Sequence, residues 1–380
     1  MVQFGADRVA EFAHFFTGRV ALLTSPSGRT TDNRSTIEVL KNCCDLRLLL
    51  APEHGVRGDK AAGALFEDET DPASGLPVRS LYTKESKRLS AEKLAAFDTL
   101  VYDIADVGCR YYTFISTLRY CIEDCAAAGK RLVVLDRPNP LGDRVEGGTL
   151  RAETASFVGC YDLPVCYGLT CGELAVMMNT ELGCGCDLKV VPCTNLTRNM
   201  TFRDWGHYWV MPSLGIPRYE TALLYPGTCL IEGTLLSEGR GTADPFAIVG
   251  APFIDAEDFS RAFNEMNCPG VVTTPIYFTP TTSKHQGVLC GGIHIHIMDE
   301  AALRPVELGV KLLDLLRRMY PGGFQILSPV REGGKPFISL LAGNREFEGD
   351  WDAGEILSRY ARESEAFRLR KAPYEIYPKE

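Results

Sequence analysis

The densest group of reactive side chains is Pro52-Glu-His-Gly-Val-Arg-Gly58, which places Glu53, His54 and Arg57 within five residues. A carboxyl, an imidazole and a guanidinium this close suit acid–base work on a polar or anionic substrate. The plainer reading is a turn with a solvated Glu and Arg. Asp103-Ile-Ala-Asp-Val-Gly-Cys-Arg-Tyr-Tyr-Thr113 adds Asp106 as a second carboxylate, with Arg110 and Tyr112 as donors. An Asp at that point is equally able to cap a helix. Asp136-Arg-Pro-Asn-Pro140 carries Arg137 and Asn139 in a loop held by two prolines, which lowers the entropic cost of positioning them; Asn and Pro also simply make turns.

Further along, Glu232-Gly-Thr-Leu-Leu-Ser-Glu-Gly-Arg-Gly-Thr242 offers Glu232 and Arg240 in a glycine-rich stretch suited to closing a cleft. Phe278 to Gly287 offers Lys284 and His285 among turn residues. Thr170-Cys-Gly-Glu173 has the spacing of a capping box, which accounts for Glu173 structurally and leaves binding as its second reading. Ile293-His-Ile-His296 puts two imidazoles on one strand face. A metal site needs a third ligand and none is near, so no metal and no other cofactor is expected.

These loops need a frame. Apolar runs at Val20-Ala-Leu-Leu23, Leu46 to Ala51, Thr99 to Ile104 and Leu132 to Leu135 each end in a polar loop containing Gly or Pro. Nearly continuous apolar strands separated by helices indicate a parallel sheet covered on both faces. Ligands bind such sheets beyond the carboxyl ends of the strands, so the four loops converge on one rim. The pattern predicts helices over about 6–17, from Asn33 or Ser35 to Cys43, over 111–128 and from Thr170 to about 182. After Tyr225 it predicts helices at 256–266 and 305–319, strands at 271–279 and 287–298, and a C-terminal helix. The fold class is therefore α/β: a Rossmann-like parallel-sheet N-terminal domain over 1–223 and a smaller α+β domain over 224–380 that closes the cleft.

Composition narrows the function. A net charge of -9, from 49 acidic and 40 basic residues, argues against nucleic-acid binding. No window approaches the ~20 apolar residues of a membrane helix, and the start at Met1 has no signal-peptide pattern. The 14 cysteines include no Cys-x-x-Cys pair and read as buried free thiols. Together these point to the cytoplasm. No GxGxxG follows the first strand, and GxxxxGK[ST], GxSxG and HExxH are absent, which weakens the dinucleotide, kinase, serine-hydrolase and zincin readings.

PEHGxRG, DxxDVGxRxYT, LDRPNPLG, TxGELA and EGTxxSEGRGTxxPFxxxGAP occur here in one order. In that order they resemble the NamZ-type exo-β-N-acetylmuramidase family, also catalogued as DUF1343, from about residue 19 to the C-terminus. The resemblance implies a Rossmann-like domain, a smaller C-terminal domain and a substrate cleft between them. It implies release of N-acetylmuramic acid from the non-reducing end of peptidoglycan fragments, with Glu53 as the candidate acid and no cofactor. The partner is then a small saccharide or muropeptide. Two departures fall near the expected cleft: Ala105 stands where the family has Gln, and Ser213-Leu-Gly-Ile-Pro217 where it has SPNMP. Muramic acid carries a lactyl carboxylate, for which Arg57, Arg110, Arg137 and Arg240 are the candidate partners. The competing readings are a metal-dependent hydrolase using His294 and His296, a sugar-binding module without catalysis, and an inactive relative.

Overall fold

The computed structural model describes residues 1–53, 55–58, 68–82 and 86–379. The first half runs β1 (Val20–Thr24), α1 (Thr36–Cys43), β2 (Leu46–Ala51), β3 (Glu69–Thr70), β4 (Pro77–Ser80), α2 (Ala91–Ala95), β5 (Thr99–Asp103), α3 (Phe114–Ala127) and β6 (Arg131–Leu135). A two-stranded ribbon of β7 (Val145–Glu146) and β8 (Cys166–Tyr167) precedes α4 (Cys171–Glu181) and β9 (Asp187–Val191). Seven strands form one sheet in the order β3-β4-β2-β1-β5-β6-β9. Every neighbouring pair is parallel except β3 with β4 at the edge. The order turns back at β1, so the loops after β1 and β5 flank the switch point where such sheets bind ligands.

Local signals set several boundaries. The Ser35 hydroxyl accepts from the Ile37 amide at the start of α1. Thr170 and Glu173 form the reciprocal capping box of α4. The stretch expected to be a helix over 6–17 is instead two 3-10 turns, Gly5–Arg8 and Ala13–Phe15. Its amides reach back three residues, as from Phe12 to Val9 and from Phe15 to Phe12. Burial of Ala6, Val9 and Phe16 against the sheet overrides the helical pattern.

The second half contains α5 (Tyr219–Thr228), β10 (Ile248–Ala251), α6 (Ala256–Glu265), β11 (Val271–Phe278), β12 (Cys290–Ile297), α7 (Pro305–Met319), α8 (Phe337–Ala342) and α9 (Ala353–Lys371). Its sheet is antiparallel in the order β10-β12-β11. The position 223/224 falls inside α5, whose buried residues belong to the same apolar cluster as Leu23, Leu100 and Phe367. Helices α5 and α7 touch backbone to backbone. A Cβ on Gly227 would lie 1.9 Å from the Pro305 carbonyl oxygen. Helix α9 returns to the first half, where Glu363 accepts from the Thr149 amide at 2.7 Å and Arg370 pairs with Asp162 at 2.7 Å. All 14 cysteines are free thiols and most are buried. Among the described residues no helix is long and apolar enough to cross a membrane.

Candidate active site

Strand β2 is buried to its end, and Pro52 ends its pairing. Gly55 and Gly58 then adopt φ of 77° and 76°, a left-handed backbone that favours glycine. The turn projects Glu53 beyond the sheet. The Thr113 hydroxyl, just before α3, donates to Glu53 Oε2 at 3.1 Å. His54 lies outside the described residues. Glu53 lines a cavity of about 190 Å³ with Tyr112 and Thr113 from the first half, Ser213 and Gly215 from the linking loop, and Glu232 and Arg240 from the second. Phe114, Phe246, Phe337 and Leu341 supply its apolar wall. The cavity therefore lies between the two halves.

Charges on its far side alternate in sign. Arg240 Nε donates to Glu232 Oε1 at 2.7 Å and lies 3.5 Å from Glu238 Oε1. Lys284 Nζ meets Glu238 Oε2 at 2.9 Å. Burial pushes the Glu232 carboxyl up, against the pull of the Arg240 charge. Lys284 also donates to the carbonyls of Ile231 and Thr234, and His285 donates to that of Leu235. Both were expected at the substrate, but they brace the 231–238 loop and do not line the Glu53 cavity.

Asp106 occupies a neighbouring cavity of about 60 Å³, with Ala105, Arg137, Trp205 and Trp209. Consecutive residues line the two cavities, Pro212 this one and Ser213 that of Glu53. Asp106 Oδ1 accepts from the Gly108 amide at 2.6 Å and from the Tyr167 hydroxyl. Its Oδ2 is buried without a hydrogen-bond partner among the described residues. Burial pushes this carboxyl up to about 7, although the Tyr167 and backbone hydrogen bonds pull the other way. Gly108 has φ 73° and sits where a Cβ would lie 2.2 Å from Asn139 Oδ1, so the turn admits only glycine. Burial raises the Tyr112 phenol, and the charges of Asp106 and Glu53 add to the rise.

Other residues expected in the site have partners within the fold, and of these Arg137 also lines the Asp106 cavity. Arg110 is completely buried: Nη1 donates to Gly148 and Leu163, and Nη2 to Leu341 and Ala342. No substrate reaches it, because four backbone carbonyls from distant segments enclose its guanidinium. Arg137 grips the buried Asp103 at 2.6 and 3.0 Å. Arg57 grips Asp71 at 2.9 and 2.8 Å and holds that carboxyl down at about 2. Asn139 closes its own loop by accepting from Leu141 and donating to Leu169. Glu173 is buried against Arg198 at 2.5 Å and accepts from the Ile376 amide at 2.8 Å. A larger cavity, about 860 Å³ between residues 141–147, 300–307 and α9, shares no residue with the Glu53 cavity.

Sequence reasoning missed Thr113 and Tyr167 and met Ser213 only within a departure from the family's motif. Thr113 was visible only as the last residue of a motif, and Tyr167 carries no local signal. Of the His pair, His294 bonds Asp244 and His296 bonds Thr274, each at 2.9 Å. Among the described residues no group of three or more His, Cys, Asp or Glu could hold a metal.

A doubly wound parallel sheet, a smaller domain and a carboxylate-lined cavity between them define a two-domain α/β enzyme. Comparison with known proteins makes this specific. Profiles of the N-terminal and C-terminal regions of the exo-β-N-acetylmuramidase NamZ match residues 20–220 and 223–377. The chain belongs to the NamZ exo-β-N-acetylmuramidase family and is a glycosidase. It is 39% identical over 366 residues to the peptidoglycan β-N-acetylmuramidase NamZ of Bacillus subtilis strain 168, covering 94% of this chain and 87% of that one. A DUF1343 family protein from Bacteroides fragilis has a similar crystal structure, with TM-score 0.90, 31% identity and 99% of each chain covered. A second from the same species gives 0.76 at 29% identity over 100% of each chain. The sequence resemblance and the α/β fold class read from the strand pattern both hold.

Proposed function

We propose that this chain hydrolyses the glycosidic bond of terminal β-linked N-acetylmuramic acid in peptidoglycan fragments, with Glu53 protonating the leaving oxygen. The observation that carries this reading is the place of Glu53: a carboxyl at a strand end, held by the Thr113 hydroxyl, facing a cavity closed by both domains. The cavity is small beside the roughly 300–1,000 Å³ that takes drug-sized ligands, which suits one terminal sugar rather than a chain threaded through.

Glycosidases pair the proton donor with a second carboxylate, or use the 2-acetamido oxygen of the substrate as nucleophile while a carboxylate orients it. Asp106 takes the second part. It lies one residue from the Ala105 backbone at the switch point, and its Oδ2 keeps an open hydrogen-bonding valence. The substrate is a small saccharide or muropeptide, and water is the only other reactant.

Glu53→Gln should leave the fold intact and lower kcat by roughly 10²–10⁴ on a substrate with a poor leaving group. A dinitrophenyl glycoside, whose leaving group needs no proton, should recover most of that loss. Asp106→Asn should not be rescued in the same way. Full activity of Glu53→Gln on the poor leaving group would remove Glu53 as the acid.

A further inference from the structure

Muramic acid differs from glucosamine by a lactyl ether that ends in a carboxylate, and a site that selects it is served best by a positive charge. The four arginines of the motifs do not supply a free one. Arg57 and Arg137 are each bidentate on an acidic partner, and neither lines the Glu53 cavity. Arg110 is sealed among carbonyls. Arg240 lines the cavity, but the Gly215 backbone closes its terminal edge: a Cβ there would lie 3.0 Å from Nη1 and 3.9 Å from Nη2.

Lys87, in the loop between β4 and α2, is different. Its ammonium lies 3.4 Å from the centroid of the Phe157 ring and 5.4 Å from that of Tyr82, and the two rings meet edge to face at 5.7 Å. Ring faces stabilise a cation without supplying a counter-ion. Among the described residues this ammonium has no carboxylate at ion-pair distance, whereas the neighbouring Arg88 is tied to Glu123 and Asp124. The two rings are anchored on α3, the helix that begins beside Glu53. The Tyr82 and Thr117 hydroxyls share a hydrogen bond of 2.6 Å, the Ser116 hydroxyl donates to the Phe157 carbonyl at 2.6 Å, and Thr113 donates to Glu53. Val158, next to Phe157 in the chain, lines the Glu53 cavity. Partial burial lowers the Lys87 pKa from the usual ammonium range, and the Glu53 charge acts in the opposite direction.

We propose that Lys87, seated over the Phe157 ring beside the Glu53 cavity, binds the lactyl carboxylate of the terminal sugar. This makes Lys87 the residue that selects muramic acid over glucosamine, and it rests on the activity proposed above. An ammonium is a point charge with three donors on a flexible stem, so it can follow a lactyl arm that turns about its ether bond. The rings cover one side of the charge, and the side chain is exposed, which leaves the other side for a ligand. Replacing the lactyl carboxylate by its carboxamide keeps the shape of the sugar and removes the charge that Lys87 meets.

The test uses three aryl β-glycosides on the full chain: N-acetylmuramic acid, its lactyl carboxamide, and N-acetylglucosamine. Lys87→Met should raise KM for the first by about 10-fold, the worth of one charge-assisted hydrogen bond at a partly exposed site, and change the other two by far less. Lys87→Arg keeps the charge and should retain most of the preference. Added salt should weaken the preference of the unaltered protein and leave that of Lys87→Met as it is. Equal losses on all three substrates in Lys87→Met would overturn the proposal and make Lys87 a brace for the Glu53 turn. An unchanged ratio of the three KM values in that variant would overturn it as well. For a chain that hydrolyses none of the three, calorimetric titration of the free sugars decides. If N-acetylmuramic acid then binds more tightly than N-acetylglucosamine, and Lys87→Met abolishes the difference, the carboxylate contact stands and the activity fails. Equal binding of both sugars by the unaltered protein, or binding of neither, overturns the contact.

Discussion

Asp106 carries a stability penalty that can be worked out from its surroundings. Its carboxyl ordinarily titrates at 3.8 and burial raises it to about 7. The separation is roughly 3 units, and at about 1.4 kcal/mol per unit the folded state loses about 4 kcal/mol once the group is fully ionised. The sign follows from proton counting. Between about pH 4 and pH 7 the folded chain holds a proton at this carboxyl that the unfolded chain has released. Stability from this group is therefore intact at low pH, falls as pH rises through that window, and is level above about 7. Asp106→Asn removes the ionisation and keeps an oxygen for Tyr167 and Gly108. Its amide nitrogen takes the unpartnered place of Oδ2 at a cost of about 1–3 kcal/mol, independent of pH. Denaturant unfolding of both proteins at pH 4.5 and pH 8 isolates the effect. Asp136, raised to about 6, and Glu146, raised to about 7, act in the same direction but cancel in the difference. The variant should gain up to about 4 kcal/mol relative to the unaltered protein between the two pH values while losing activity, the exchange expected where a strained group serves function. A stability difference that is the same at both pH values would refute the reasoning.

Arg110→Met should cost several kcal/mol, because four buried carbonyls lose their donor at about 1–3 kcal/mol each before relaxation, whereas KM of the folded fraction should stay unchanged. Thermal unfolding together with steady-state kinetics checks both halves. Gly227→Ala should lower Tm sharply, since its methyl cannot fit 1.9 Å from Pro305 O without separating α5 from α7. Wild-type Tm in that variant would mean that the two helices part at little cost.

What the sequence revealed and what it concealed follow a physical line. The strands were legible because burial on both faces demands nearly continuous Val, Leu and Ala, as in β1 and β6 and in β2 apart from the exposed Arg47. Helix α7 was legible because Pro305 and a 3.6-residue apolar spacing mark it locally. Glu53 was legible because a polar residue directly after a buried strand has few structural reasons to be there. Arg110 looked the same in sequence, yet its acceptors at 148, 163, 341 and 342 come from segments up to 232 residues away. Arg57 and Arg137 likewise meet Asp71 and Asp103 only in the folded chain. A motif rich in charged residues thus marks a place where buried polar groups must be satisfied, and fold and chemistry share that signature. The distinction lies in which hydrogen-bonding edges remain after the fold has used its share. Arg110 donates through both terminal nitrogens to carbonyls, whereas Arg240 donates through Nε to Glu232 and lines the same cavity as Glu53. Of the four arginines that the sequence offered for a substrate carboxylate, Arg240 is the one that the fold places on the same cavity as Glu53.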